Sequence, residues 1–177
     1  MIVIKRSIIL ALDFGYSLNG DTLSSIDDLA LATLNATYRY EDCIVLAQEK
    51  IYEQLARISS HDFVMFKLET GQSTSASTDS GGTWQALVMA KSILDQYDLG
   101  YDVILIAHKL HFRRAQNQAK KLGINVMPAL DVALPYRCYA AAEQWWCRNP
   151  FSWHLRELIG YFPLKLKGQL WGCPFFL

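Results

Sequence analysis

Two histidines, His108 and His111, stand just ahead of two arginines, Arg113 and Arg114, in the stretch 101–123, YDVILIAHKLHFRRAQNQAKKLG. Imidazole gains and loses a proton near neutral pH, and a planar guanidinium can clamp a carboxylate or phosphate through two parallel hydrogen bonds. Such a group suits either acid–base work on an anionic molecule or plain binding of one. His111 is the candidate general acid or base and Arg114 the candidate clamp, while Arg113 reads as solvated. Each has a plainer reading: His111 as a helix cap or surface residue, His108 as a structural or rim residue, and Arg114 as an ion-pair partner of the last helix, through Glu157.

The stretch itself is a strand–turn–helix unit. Residues 102–107 form a short apolar run, 108–111 a polar elbow, and the helical pattern that follows closes at Gly123. Ligands of open α/β sheets gather outside the carboxyl ends of the strands, which is where this elbow falls. Asp13 ends the first apolar run, 7–13, and could hold a ribose hydroxyl, a metal or a proton, although many strands finish on Asp merely to begin a turn. Thr83 opens a helix after Gly81 and Gly82, so it is either a cap or a ligand contact where the backbone can be approached closely. The tryptophans Trp145, Trp146 and Trp153 could wall a base or sugar, or simply fill core.

Bulk properties narrow the function. One domain over 1–177 is expected, large enough to bury a core without disulfides or metal. Lys plus Arg equals Asp plus Glu, 17 against 17, which removes the basic excess that binding to a phosphate backbone needs; no nucleic-acid partner is expected. The N-terminal MIVIKRSIILALDF has a basic pair before apolar residues, but Asp13 interrupts it and no small-residue cleavage site follows. It reads as the first strand, and no run reaches the roughly 18 apolar residues of a membrane span. A cytoplasmic protein is the resulting expectation. The cysteines Cys43, Cys138, Cys147 and Cys173 show no C-x-x-C spacing and read as buried or inert thiols, with no metal site.

In chain order, strands are expected at 7–13, 43–47, 63–68, 102–107 and 125–128. Helices are expected from Ser24 or Ser25 to about 40, over 51–58, 83–97 and the segment closing at Gly123, and last over 152–161. Between the third strand and Thr83 lies ETGQSTSASTDSGG, residues 69–82, a loop of lid or binding-loop composition. Alternating strands and helices with near-continuous apolar strands predict the α/β class, a parallel sheet with helices on both faces. Right-handed crossovers then bring the ends of the first, third and fourth strands to one edge. The apolar tail 171–177 offers a surface for a possible homodimer.

The segment His111-Phe112-Arg113-Arg114-Ala115 after an apolar strand, Gly82-Thr83-Trp84 opening a helix, and Trp153-x-x-Arg156-Glu157 downstream together resemble the YdcF-like family, which includes SanA and ElyC. The resemblance covers most of the chain, best from 79 to 168. It implies a Rossmann-like three-layer α/β/α sandwich with a mostly parallel sheet of about five strands and a ligand pocket at the strand ends. It also implies a small, anionic or nucleotide-type ligand, with S-adenosylmethionine as the suggested cofactor and no established reaction. By that likeness Thr83, His111, Arg114 and Glu157 are ligand-binding; Gly82, which lets a ligand approach the backbone, and Asp13, Gly15 and His108 at the strand ends complete the expected ligand-binding set. Gln85 and Ala86 stand where the family carries an acid and an Asn, and the glycine-rich turn after the first strand is reduced to Phe14-Gly15-Tyr16. No G-x-S-x-G, P-loop, H-E-x-x-H or complete G-x-G-x-x-G occurs, so serine hydrolases, P-loop NTPases, zincins and ordinary NAD dehydrogenases all lack their signature.

Overall fold

A computed structural model of the chain describes residues 7–13, 24–40, 42–60, 63–69, 81–96, 102–129, 132–134 and 148–166, the side chains of 24, 25, 81, 157 and 160–166 excepted. Five strands, β1 (Ser7–Ala11), β2 (Ile44–Gln48), β3 (Val64–Leu68), β4 (Asp102–Ile106) and β5 (Val126–Pro128), alternate with helices α1 (Ser24–Arg39), α2 (Glu49–Ile58), α3 (Gly81–Gln96) and α4 (Lys109–Lys121); α5 (Pro150–Leu166) follows. All pairings are parallel and the sheet order is β3-β2-β1-β4-β5. This is the expected Rossmann-like three-layer arrangement.

The strand sequences explain the layering. Side chains alternate between faces, and here both faces are covered, so apolar residues occupy consecutive positions. Ile9, Ala11, Val45, Ala47, Ile104 and Ile106 pack with Ile26 and Leu29 of α1, Ile51 and Leu55 of α2, and Trp153 of α5. Ile8, Leu10, Leu12, Leu46, Val103 and Leu105 face the other way, onto Leu87, Ala90 and Leu94 of α3 and Ala115 and Ala119 of α4. The chain winds leftward through α1 and α2 and then crosses back through α3 to β4. Strand order therefore reverses between β1 and β4, and right-handed crossovers put the two helix pairs on opposite faces.

Helix α4 carries clear punctuation at both ends. His108 is its N-cap, and the Leu110 backbone N–H donates to the His108 Nδ1 at 3.3 Å. At the other end Gly123 adopts φ 77, its N–H donates to the Lys120 carbonyl, and the Ile124 N–H donates to the Ala119 carbonyl. That pair of bonds is a Schellman stop, and the left-handed residue it requires is the glycine on which the sequence closes the helix.

Two boundaries depart from expectation. Helix α3 starts at Gly81, so Thr83 lies within its first turn, and the Ser/Thr/Gly-rich loop ends by residue 80. Helix α5 starts at Pro150 and continues past Gly160 and Pro163 to Leu166, where the sequence pattern stopped at 161. Proline at the first helical position costs nothing because that N–H has no helical acceptor, whereas Pro163 deprives the carbonyl four residues earlier of its donor. Gly15, most of the 69–82 loop, Trp145, Trp146, the cysteines at 138, 147 and 173 and the 171–177 tail lie outside the described residues. Cys43 is a buried free thiol, and burial pushes its pKa up, in keeping with an inert role.

Candidate functional site at the strand ends

The carboxyl edge of the sheet gathers most of the residues singled out by chemistry. In β1 the register pairs Ala11 with Ala47 on one side and Ile106 on the other, and the Leu12 N–H donates to the Ile106 carbonyl at 2.9 Å. Asp13 is thus the next residue out at the point where strand order reverses, and His108 follows β4 at the same edge. Sequence reasoning missed what holds Asp13 in place. The buried Gln48 side chain at the end of β2 accepts a 2.6 Å hydrogen bond from the Asp13 backbone N–H through Oε1. A polar residue closing an otherwise apolar strand was the available signal.

Among the described residues the Asp13 carboxyl makes no ion pair and no hydrogen bond. It is half-buried, and desolvation pushes its pKa from 3.8 up to about 6. An unpaired carboxyl in such surroundings titrates close to neutral pH, where it can accept, donate or exchange a proton.

At the β4 end of the same edge, three helices converge on His111. The ring is 1% exposed, with its Nε2 3.2 Å from the Thr83 Oγ1 of α3 and its Nδ1 2.9 Å from an Arg114 terminal nitrogen one turn along α4. A guanidinium only donates, so Nδ1 must be the acceptor; the ring is then neutral, its proton sits on Nε2, and that N–H donates to the Thr83 hydroxyl oxygen. Electrostatics agree with this tautomer. Burial, then the Arg114 charge, then His108 hold the His111 pKa well below the usual histidine range. Thr83 therefore acts as a bridge to α4 and does not cap α3.

Trp153 closes the arrangement from α5. Its indole Nε1–H donates to the Leu110 carbonyl at 3.1 Å, its ring meets the His111 ring edge-on at 6.0 Å, and the Arg114 guanidinium lies 5.2 Å from its centroid. Cation–π stacking and the indole hydrogen bond fasten α5 around the exit of β4. Of the two readings for Trp153, the core one holds: it is 3% exposed and wedged against the histidine.

The structure thus brings Thr83, His111 and Arg114 into one hydrogen-bonded chain and sets His108 in the cap beneath it. Asp13 occupies the same sheet edge, with Gln48 as its support. Gly82 is half-buried, and a Cβ built on it would meet nothing within 4 Å, so packing alone does not demand glycine there. Arg113 is exposed, as expected. The backbone of Glu157 lies in α5, but its side chain is outside the described atoms. Among the described residues no three His, Cys, Asp or Glu side chains gather closely enough to hold a metal, and no helix is long and apolar enough to cross a membrane.

Comparison with known proteins adds no assignment. No family model, curated protein or solved structure matches the chain.

Proposed function

We propose that the protein binds a small anionic or nucleotide-type ligand at the carboxyl ends of its strands, over the reversal between β1 and β4. The observation that carries this reading is the edge shared by the Asp13 carboxyl, an acceptor for the hydroxyl or amino groups of a nucleotide-type ligand, and the Thr83–His111–Arg114 chain, whose guanidinium brings positive charge for an anionic group. Open α/β sheets bind in that crevice because the connections leaving the two strands run to opposite faces, here α1 to one and α4 to the other, and open a gap between them. S-adenosylmethionine is the cofactor the family resemblance implies, and Asp13 offers it an acceptor for hydroxyl or amino hydrogens.

The enzymatic reading, a hydrolase or transferase with His111 as general acid or base and Arg114 as anion clamp, draws less support. Arg114 occupies one ring nitrogen and Thr83 the other, and burial holds the ring neutral. A base needs a lone pair within reach of the substrate proton. A cytoplasmic location and a homodimer formed through the 171–177 tail remain proposals of the sequence. Thermal denaturation in the presence of adenosine-type cofactors, nucleotides and sugar phosphates tests the binding reading. A ligand at a hundredfold excess over its Kd adds about 2.7 kcal/mol to stability. A melting shift that survives in the wild type and disappears in Asp13→Ala supports the reading; a shift untouched by Asp13→Ala places the ligand elsewhere and overturns it.

A further inference from the structure

The polar groups at the strand reversal are not those of a phosphate cradle. Asp13 stands at this edge, and among the described residues no lysine or arginine pairs with its carboxyl; desolvation alone sets its titration. Nearby on the same edge, Lys67 at the end of β3 pairs with Glu49 and Glu69 and not with Asp13. Nor can Asp13 retreat easily, because Gln48 pins its backbone N–H. An ionised carboxylate offers only acceptors, two oxygens in one plane, and repels a phosphate while matching two adjacent donors.

In dinucleotide-binding folds the acid that takes sugar hydroxyls stands after the second strand. Here that position holds Gln48, whose carbonyl oxygen serves Asp13, and Glu49, which is paired with Lys67. The acceptor has moved one strand inward, to β1.

We propose that the Asp13 carboxylate receives the two vicinal hydroxyls of the ligand's sugar, so that a nucleoside enters the crevice sugar-first. This rests on the reading that the ligand lies over the β1–β4 reversal, and adds which part of it faces Asp13. A titration position near 6 leaves most of the carboxyl ionised at pH 7.5, as an acceptor for both hydroxyls must be.

Titration calorimetry at pH 7.5 with adenosine, 2′,3′-dideoxyadenosine and AMP, on the wild type and on Asp13→Asn, separates the possibilities. The wild type is expected to bind adenosine at least about tenfold more tightly than the dideoxy compound, since each charge-assisted bond lost is worth on the order of a tenfold change. Asp13→Asn is expected to lose a similar factor for adenosine and to cease distinguishing the two nucleosides. Equal wild-type affinity for adenosine and its dideoxy analogue overturns the sugar contact while leaving a ligand at the strand ends intact. Binding of AMP with no binding of adenosine overturns it in favour of phosphate recognition. Absence of binding by all three overturns both the sugar contact and the nucleotide reading beneath it.

Discussion

Replacing His111 with alanine separates a structural histidine from a reactive one. In the structure the ring is a buried tie between α3, α4 and α5. Its removal takes away the bond to Arg114, worth about 1.5–3 kcal/mol because one partner is charged, and the bond to Thr83, worth about 0.5–1.5 kcal/mol. The Trp153 ring loses its edge contact, and a cavity opens where the imidazole was, adding to the cost. The expected destabilisation is about 2–4.5 kcal/mol before the cavity is counted, against total stabilities of roughly 5–15 kcal/mol. For a domain of this size each kcal/mol lowers Tm by about 2–4 °C, so a fall of about 4–18 °C is predicted. Urea or thermal unfolding followed by circular dichroism measures it. His111→Asn, which keeps polar atoms near the Nδ1 position, should recover part of the loss. A variant within about 0.5 kcal/mol of wild type would refute the buried-tie assignment and return His111 to the role of an exposed reactive group.

Further predictions follow from the same atoms. Asp13 has a folded-state pKa above its unfolded one, so its protonated form is favoured by folding; that contribution is full below pH 3.8 and is lost as pH rises through about 6. The shift of about two pH units corresponds to roughly 3 kcal/mol, discounted to about 1–2 kcal/mol for partial solvent access, so Asp13→Asn should be more stable than wild type by that amount at pH 7.5 and equal to it near pH 3.5 in denaturant titrations. His111 acts with the opposite sign: its folded pKa is depressed, so its stabilisation is complete above about pH 6.5 and is lost as pH falls toward the folded value, and the acid-side slope between pH 6.5 and 5 should flatten in His111→Ala. Gln118 is fully buried on α4 with neither amide oxygen nor nitrogen hydrogen-bonded, so Gln118→Met, which keeps the shape and removes both orphans, should stabilise by about 1–3 kcal/mol; an unchanged or lowered midpoint would mean that the amide is satisfied in solution.

The fold was legible because each strand announces itself. The runs in β1, β2 and β4 are apolar at consecutive positions, which only a sheet covered on both faces requires, and His108 and Gly123 bracket α4 with recognisable end signals. The carboxyl-edge location of Asp13, Thr83, His108, His111 and Arg114 followed from topology alone. Their internal arrangement did not. Nothing in linear spacing says that Thr83, 28 residues upstream, meets the Nε2 of His111, or that Arg114 one turn along takes its Nδ1, since those distances depend on how α3 and α4 pack. Burial was equally hidden: a histidine near a helix start reads as accessible, and here Thr83 from α3, Arg114 and Trp153 from α5 all pack against its ring. Gln48 and Gln118 look alike in sequence, as polar residues inside apolar patterns. One is spent on a backbone N–H and the other is left unbonded, a difference set by neighbours from distant segments.

The central claim, a ligand over the β1–β4 reversal, is tested most directly by titrating the labelled 20.1 kDa protein and following backbone amide shifts by NMR. With adenosine-type cofactors, nucleotides and sugar phosphates as probes, the account predicts the largest shifts at Leu12, Asp13, Gln48 and the 107–111 turn, with Gly82 and Thr83 next. Shifts centred on the far edge of the sheet, around Ser7, Asp102 and Val126, or none with any probe at millimolar concentration, would contradict it.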